Sequence, residues 1–197
     1  MTRRAAVLLA TIGLGVSLTA CNQGESNSAG QEGSTQIGTY AVTAQAPAGS
    51  NTCGEGAFGQ VDAWVFSINL SSDTGVIYWN TGSQSIQGSL VDNAFNFSTS
   101  VTVDMRATNT DPNMPAGLAP CSITRTDNAG GILSNVAGGA GSTFSGTLGY
   151  HYDVVAGSDC SDLVEGGEVK WTGEMPIAAM LPCQISYTMT GTYTSTQ

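Results

Sequence analysis

The chain has 197 residues, with 15 acidic against 5 basic side chains and a formal net charge of −10 at pH 7. So acidic a surface repels phosphate backbones and anionic headgroups, which excludes nucleic acid and lipid surfaces as partners of the folded part. Charged residues make up only 10% of the chain, against roughly 25% in an average soluble domain, so Ser, Thr, Asn and Gln must carry solubility.

The first residues, Met1-Thr2-Arg3-Arg4, are basic, and the apolar stretch from Ala5 to Leu18 is too short to span a bilayer comfortably. Small residues then lead to a cysteine, which is the anatomy of a cleaved export signal. Residues Leu18-Thr19-Ala20-Cys21 resemble the lipobox of bacterial lipoproteins. The resemblance implies cleavage before Cys21, a diacylglyceryl thioether on its sulfur, usually an acyl chain on its new amino group, and a bilayer partner held through that anchor. In the sorting rule of the same family an aspartate after the cysteine favours inner-membrane retention, so Asn22 implies the outer membrane where a cell has two. Removal of residues 1–20 would leave a mature chain of 177 residues, enough for one domain with its own core. Its basic residues would be Arg106, Arg125 and Lys170, and its net charge about −12.

Residues 22–36 hold no apolar side chain larger than Ala and are rich in Gly, Ser, Gln and Glu. Such a segment cannot bury enough surface to order itself, so with Cys21 it is expected to form a flexible tether over 21–36. A single β domain is expected over 37–197.

From there the dominant period is two. Trp64, Phe66, Ile68 and Leu70 share one face. So do Phe95, Phe97, Thr99, Val101, Val103 and Met105; Phe144, Gly146, Leu148, Tyr150, Tyr152 and Val154; and Ile185, Tyr187, Met189, Gly191 and Tyr193. Polar residues alternate with them, the pattern of antiparallel strands with one dry and one wet face. Shorter runs over 39–45, 75–80, 85–91, 121–126 and 132–136 complete the set. Turn signals separate the runs: Asp73-Thr74-Gly75, Asp92-Asn93, Asp127-Asn128-Ala129-Gly130-Gly131 and Gly138-Gly139-Ala140-Gly141. No segment sustains a helical period; only 177–181 could make a helical turn, between prolines 176 and 182. The expectation is an all-β antiparallel meander of about nine strands closed as an up-and-down barrel, with a two-sheet β-sandwich as the alternative.

With Cys21 explained by lipidation, Cys53, Cys121, Cys160 and Cys183 form an even set, which in an exported chain reads as disulfides. Zinc is disfavoured, because no C-x-x-C pair exists and His151 is the only histidine. In a nine-strand meander Cys53 and Cys121 fall at one end and Cys160 and Cys183 at the other, so the expected pairs are Cys53 with Cys121 and Cys160 with Cys183.

Few residues suggest chemistry. Asp73-Thr74-Gly75 has the letters of the aspartic-protease motif, but no second copy exists and the context is a hairpin turn. His151 lies on the wet face without a G-x-S-x-G string to serve, so no catalytic residue is assigned. Asp159, Asp162, Glu165 and Glu168 are weak calcium candidates at a spacing that matches no known calcium loop, and no cofactor is expected. Arg125 and Asp62 share parity with apolar neighbours, so the two are expected to pair on the inner side, beside a cavity lined by Tyr40, Trp64, Tyr150, Tyr152 and Tyr187. Core filling is the plain reading of those aromatics. The functional reading is a site for a small apolar or aromatic ligand.

The folded part resembles β-rich exported lipoproteins, with lipocalin-like barrels the nearest shape, although no G-x-W string stands near its first strand. Three roles follow in order: a non-enzymatic, membrane-anchored module that binds a small molecule or a partner surface; a structural or assembly lipoprotein making protein contacts; and a hydrolase built on acidic residues.

Overall fold

The computed structural model describes residues 33–80, 85–107, 114–167 and 176–195. The expected export signal, Cys21, most of the expected tether, Lys170 and Glu168 lie outside the described residues. The sheet is a closed barrel of eight antiparallel strands in sequence order: β1 (Thr35–Gln45), β2 (Ala63–Asp73), β3 (Val76–Asn80), β4 (Ser85–Val91), β5 (Ala94–Asp104), β6 (Ser122–Leu133), β7 (Thr143–Val154) and β8 (Cys183–Ser195). The last strand returns to the first, with Tyr40 opposite Tyr193 and Val42 opposite Gly191. This is the up-and-down barrel; the sandwich alternative falls. The alternation does the work expected of it, with Phe95, Phe97, Phe144, Leu148, Ile185, Tyr187 and Met189 all buried inside. Outward positions of β7 and β8 carry Thr143, Ser145, Thr147, Thr188, Thr190 and Thr192, the reverse of the apolar outer girdle that a membrane-spanning barrel needs.

The strand count is eight, not nine. Residues 121–126 and 132–136 were expected as two strands around a turn at 127–131, yet Ser122–Leu133 is one strand, paired without a break to β5 and β7. Of the glycines at 130 and 131, Gly131 is a seat for a ring, as is Gly191 of β8, rather than a turn residue. A Cβ on Gly131 would stand 2.5 Å from the Ser145 carbonyl oxygen and 2.8 Å from Cζ of Phe95, and a Cβ on Gly191 would overlap the Phe144 ring. Absent side chains let the Phe95 and Phe144 rings, 5.5 Å apart and edge to face, fill the narrow interior. The segment at 177–181 is likewise not helical: Ala178 bridges to Val164, and the short 3₁₀ turns lie at Ala57–Gly59 and Ser161–Leu163. The first strand starts at Thr35, two residues inside the expected tether.

With eight strands, the long connections after β1, β5 and β7 all fall at one end, here the loop end. The tighter connections after β2, β4 and β6 fall at the other, the turn end, where Thr35 and Ser195 also lie. Asp73-Thr74-Gly75 is the β2–β3 turn: Gly75 has φ 71° and the Thr74 N–H donates to Asp73 Oδ1 at 2.7 Å.

All four cysteines therefore sit at the loop end, and their pairing differs from expectation: Cys53 bonds Cys183 and Cys121 bonds Cys160. The extra strand in the sequence reading reversed the direction of everything after residue 131, which sent Cys160 and Cys183 to the wrong end. Neighbourhood then chooses the partners. Cys121 and Cys160 flank paired strands β6 and β7, where the Asp159 N–H donates to the Pro120 carbonyl. The loop carrying Cys53 lies against the start of β8, with the Thr52 N–H donating to the Gln184 carbonyl and Asn51 bridging Ile185.

The two bonds span 130 and 39 residues, and loop-closure entropy assigns them about 5 and about 4 kcal/mol respectively. Proteolysis without reduction should release one peptide pair joining Cys53 to Cys183 and another joining Cys121 to Cys160 by mass spectrometry. The double variant Cys53→Ser/Cys183→Ser should lose more stability in urea unfolding than Cys121→Ser/Cys160→Ser.

Candidate functional site

The wall of the barrel is uneven. Strand β3 has five residues and β4 seven, whereas their flanking strands β2 and β5 have eleven each. Pairing of β2 with β3 begins only at Asn69, and β4 pairs with β5 only from Gly88 to Val91. Among the described residues, Ser85–Gln87 therefore part from β5, and Ser98–Asp104 are held by β6 alone. Val101, inward by phase, is 48% exposed for this reason.

A stitch on the outer face braces the low wall. The Asn69 Nδ2 donates to Thr39 Oγ1 at 3.2 Å, Asn80 Nδ2 donates to Asn69 Oδ1 at 3.0 Å, and Ser85 Oγ donates to Asn80 Oδ1 at 2.8 Å. Four strands are tied in sequence, and the two buried amides are satisfied, as burial of polar groups demands.

Behind the parted strands lies a cleft of about 100 Å³ lined by Trp79, Ile86, Phe97, Thr99, Asp127, Ala129, Leu148 and Tyr150. Nearer the turn end, the space bounded by Phe66, Phe95 and Phe144 shrinks to about 10 Å³, room for about one water. The interior is thus closely packed toward the turn end and keeps one cleft of about 100 Å³ beside the parted strands.

Arg125 stands above this cleft, but its partner is not Asp62. Its Nε donates to Asp127 Oδ1 at 2.7 Å and its Nη2 to Asp127 Oδ2 at 2.8 Å, a two-pronged pair on one face of one strand. Asp62 is exposed and belongs to the loop before β2, where its carbonyl accepts from the Ala46 N–H. The guanidinium carbon also lies 5.3 Å over the Tyr150 ring, a cation–π contact. Burial works to lower the Arg125 pKa, but the hydrogen bonds to Asp127 and its charge outweigh that and hold it above the ordinary value. Burial, followed by the Asp127 charge, raises the Tyr150 phenol well above its usual range, so it stays a neutral hydroxyl.

The other expected aromatics separate. Trp64 stacks on Phe66 with centroids 4.4 Å apart, and Phe66 leads to Trp79 at 6.2 Å, which continues the aromatic wall from the cleft toward the loop end. Tyr152 is covered by Phe58 of the first loop, stacked at 3.9 Å and 4°, and so belongs to the plug that closes that end. Tyr187 joins the same plug, donating to the Val61 carbonyl at 3.0 Å. Tyr40 lies toward the turn end against Phe144 and shares a 3.0 Å hydrogen bond with Ser142 Oγ.

The calcium candidates are engaged elsewhere. Asp162 is buried in an ion pair with Arg106 at 2.5 Å, and Asp159 accepts from Ser161 N–H and Oγ at 3.1 and 2.7 Å. Glu165 is exposed. Among the described residues no group of three or more His, Cys, Asp or Glu side chains could hold a metal. His151 lies on the outer face with Nε2 3.1 Å from Asp153 Oδ2. Asp127, Trp79, Ile86 and Leu148 are the site residues that sequence reasoning missed. Parity of Asp127 with Arg125 and Ala129 could have found the first, had the following glycines not marked a turn.

Comparison with family profiles, curated proteins and solved structures finds no match.

The Tyr152 phenol, pushed up to about 12 chiefly by burial and against the opposing Arg125 charge, ionises near 10 in the unfolded chain. As pH rises the unfolded state therefore loses its proton first. The stability tied to Tyr152 is complete below pH 10 and falls between pH 10 and about 12, by about 3 kcal/mol. Urea midpoints should be level up to about pH 9.5 and decline above it, and Tyr152→Phe should make that decline shallower.

Proposed function

We propose that this protein is a membrane-anchored binding module of the cell envelope that takes a small apolar or aromatic molecule into the cleft beside the parted strands of its barrel. The observation that carries the reading is the cleft itself: concave, walled by Trp79, Ile86, Phe97, Leu148 and Tyr150, and supplied with one carboxylate, Asp127, which Arg125 holds from outside the lining. A few convergent polar groups in an otherwise apolar recess are the usual make-up of a small-molecule site. Of the residues lining the cleft Asp127 is the one carboxylate, which gives the acidic-hydrolase reading no second group to work with.

The lipobox-like string ending at Cys21 supports the anchor, and the two disulfides agree with an oxidising compartment. Because β1 begins at the turn end, a tether from Cys21 would join the domain there.

Two measurements test the reading. Toluene titrated into the purified domain should shift the methyl resonances of Ile86 and Leu148 and the indole of Trp79, and Ile86→Trp, which fills the cleft from its edge, should weaken the effect at least about tenfold; unchanged spectra with toluene and with its hydroxylated analogue p-cresol would end the proposal. In cells, Cys21→Ser should move the protein from the membrane fraction to the soluble one, and retention in the membrane would remove the anchor.

A further inference from the structure

The residues around the cleft restrict the ligand further, on the premise that it is a binding site. We infer that the occupant is an uncharged molecule with a single-ring body and a hydroxyl or N–H donor, lying among Trp79, Phe97 and Tyr150 with that donor on the Asp127 carboxylate.

Size comes first. An engineered apolar cavity of about 150 Å³ holds benzene, and this cleft of about 100 Å³ is open at one side, so one ring fits with its edge toward the parted β4 and β5. The walls suit a flat body: three aromatic rings, with Ile86 and Leu148 filling the remaining sides.

Charge comes next. An anion entering the cleft meets the Asp127 carboxylate, on a chain whose net charge is −10. Arg125 would draw it, but Arg125 is not among the lining residues, and its Nε and one Nη2 hydrogen are already given to Asp127. A cation meets the reverse problem. The carboxylate that would attract it already has a guanidinium 2.7–2.8 Å away, and the repulsion from that group nearly cancels the attraction. A neutral donor escapes both. A carboxylate offers about four lone-pair sites, and Arg125 uses one on each oxygen, so an acceptor position remains on each. The two-pronged Arg125 contact holds the carboxylate plane still, which makes that acceptor directional.

A ring without a donor would bury one side of Asp127 against hydrocarbon and leave it unpaired. Asp127 keeps 24% of its side-chain surface, so water can still reach it and the discrimination is modest, about tenfold.

The experiment is a matched series, p-cresol, toluene, benzoate and benzylammonium, titrated into the intact domain and read by the same resonances of Ile86, Leu148 and Trp79. The expected order places p-cresol about tenfold tighter than toluene, with benzylammonium below both and benzoate without effect. Asp127→Ala should bring p-cresol down to toluene while leaving toluene unchanged. If the variant fails to fold, the wild-type order alone decides. Toluene equal to p-cresol, or either ion binding best, would overturn the inference and leave the binding reading standing. No shift from any of the four would overturn both.

Discussion

An antiparallel sheet that closes through its first and last strands must contain an even number of strands, because β1 and β8 can pair antiparallel only if they run in opposite directions. That parity decides which connections share an end. In this chain it gathers three long loops and all four disulfide cysteines at one end, and the tighter turns with both described termini at the other. The plug at the loop end follows from it.

The two ends are held by different physics. The turn half is packed by aromatic rings against glycine backbone, where Gly131 and Gly191 leave the space that Phe95 and Phe144 take up. Close packing of that kind tolerates no added methyl without strain. The loop half has long connections that strand pairing does not restrain, so it depends on covalent and ionic ties: the Cys53–Cys183 and Cys121–Cys160 bonds, the buried Arg106–Asp162 pair and the stack of Phe58 on Tyr152. The ion pair of Arg106 with Asp162 ties the segment after β5 to the loop after β7.

The cleft follows from unequal strand lengths. Strands β3 and β4 are shorter than β2 and β5, so the wall of the closed barrel is lower on that side, and inward positions such as Thr99 and Val101 gain exposure. The Asn69–Asn80–Ser85 stitch meets the hydrogen-bonding needs of the short strands on the outside, which keeps the opening compatible with a stable sheet. Arg125 and Asp127 occupy the inner face of β6 beside this opening, next to Val101 and Thr99 of β5, where a polar pair can remain partly hydrated.

Much of this was legible in the residue order. Alternation of apolar and hydroxylated side chains is a local property, and it identified the all-β class, the inward faces of β2, β5, β7 and β8, and the inward phase of Arg125 and Tyr150. Misreading Gly130-Gly131 as a turn shows the limit, since glycine serves equally for a bend and for a ring seat, and only the position of Phe95 on the neighbouring strand distinguishes them. From that point the strand count, the disulfide partners and the partner of Arg125 all depended on which segments lie side by side. The chain by itself determined which side chains face inward, because that follows from a two-residue period along one strand. Tertiary structure alone decided which inward residues meet and where the interior stays open, because pairing register and relative strand length are properties of neighbouring strands taken together.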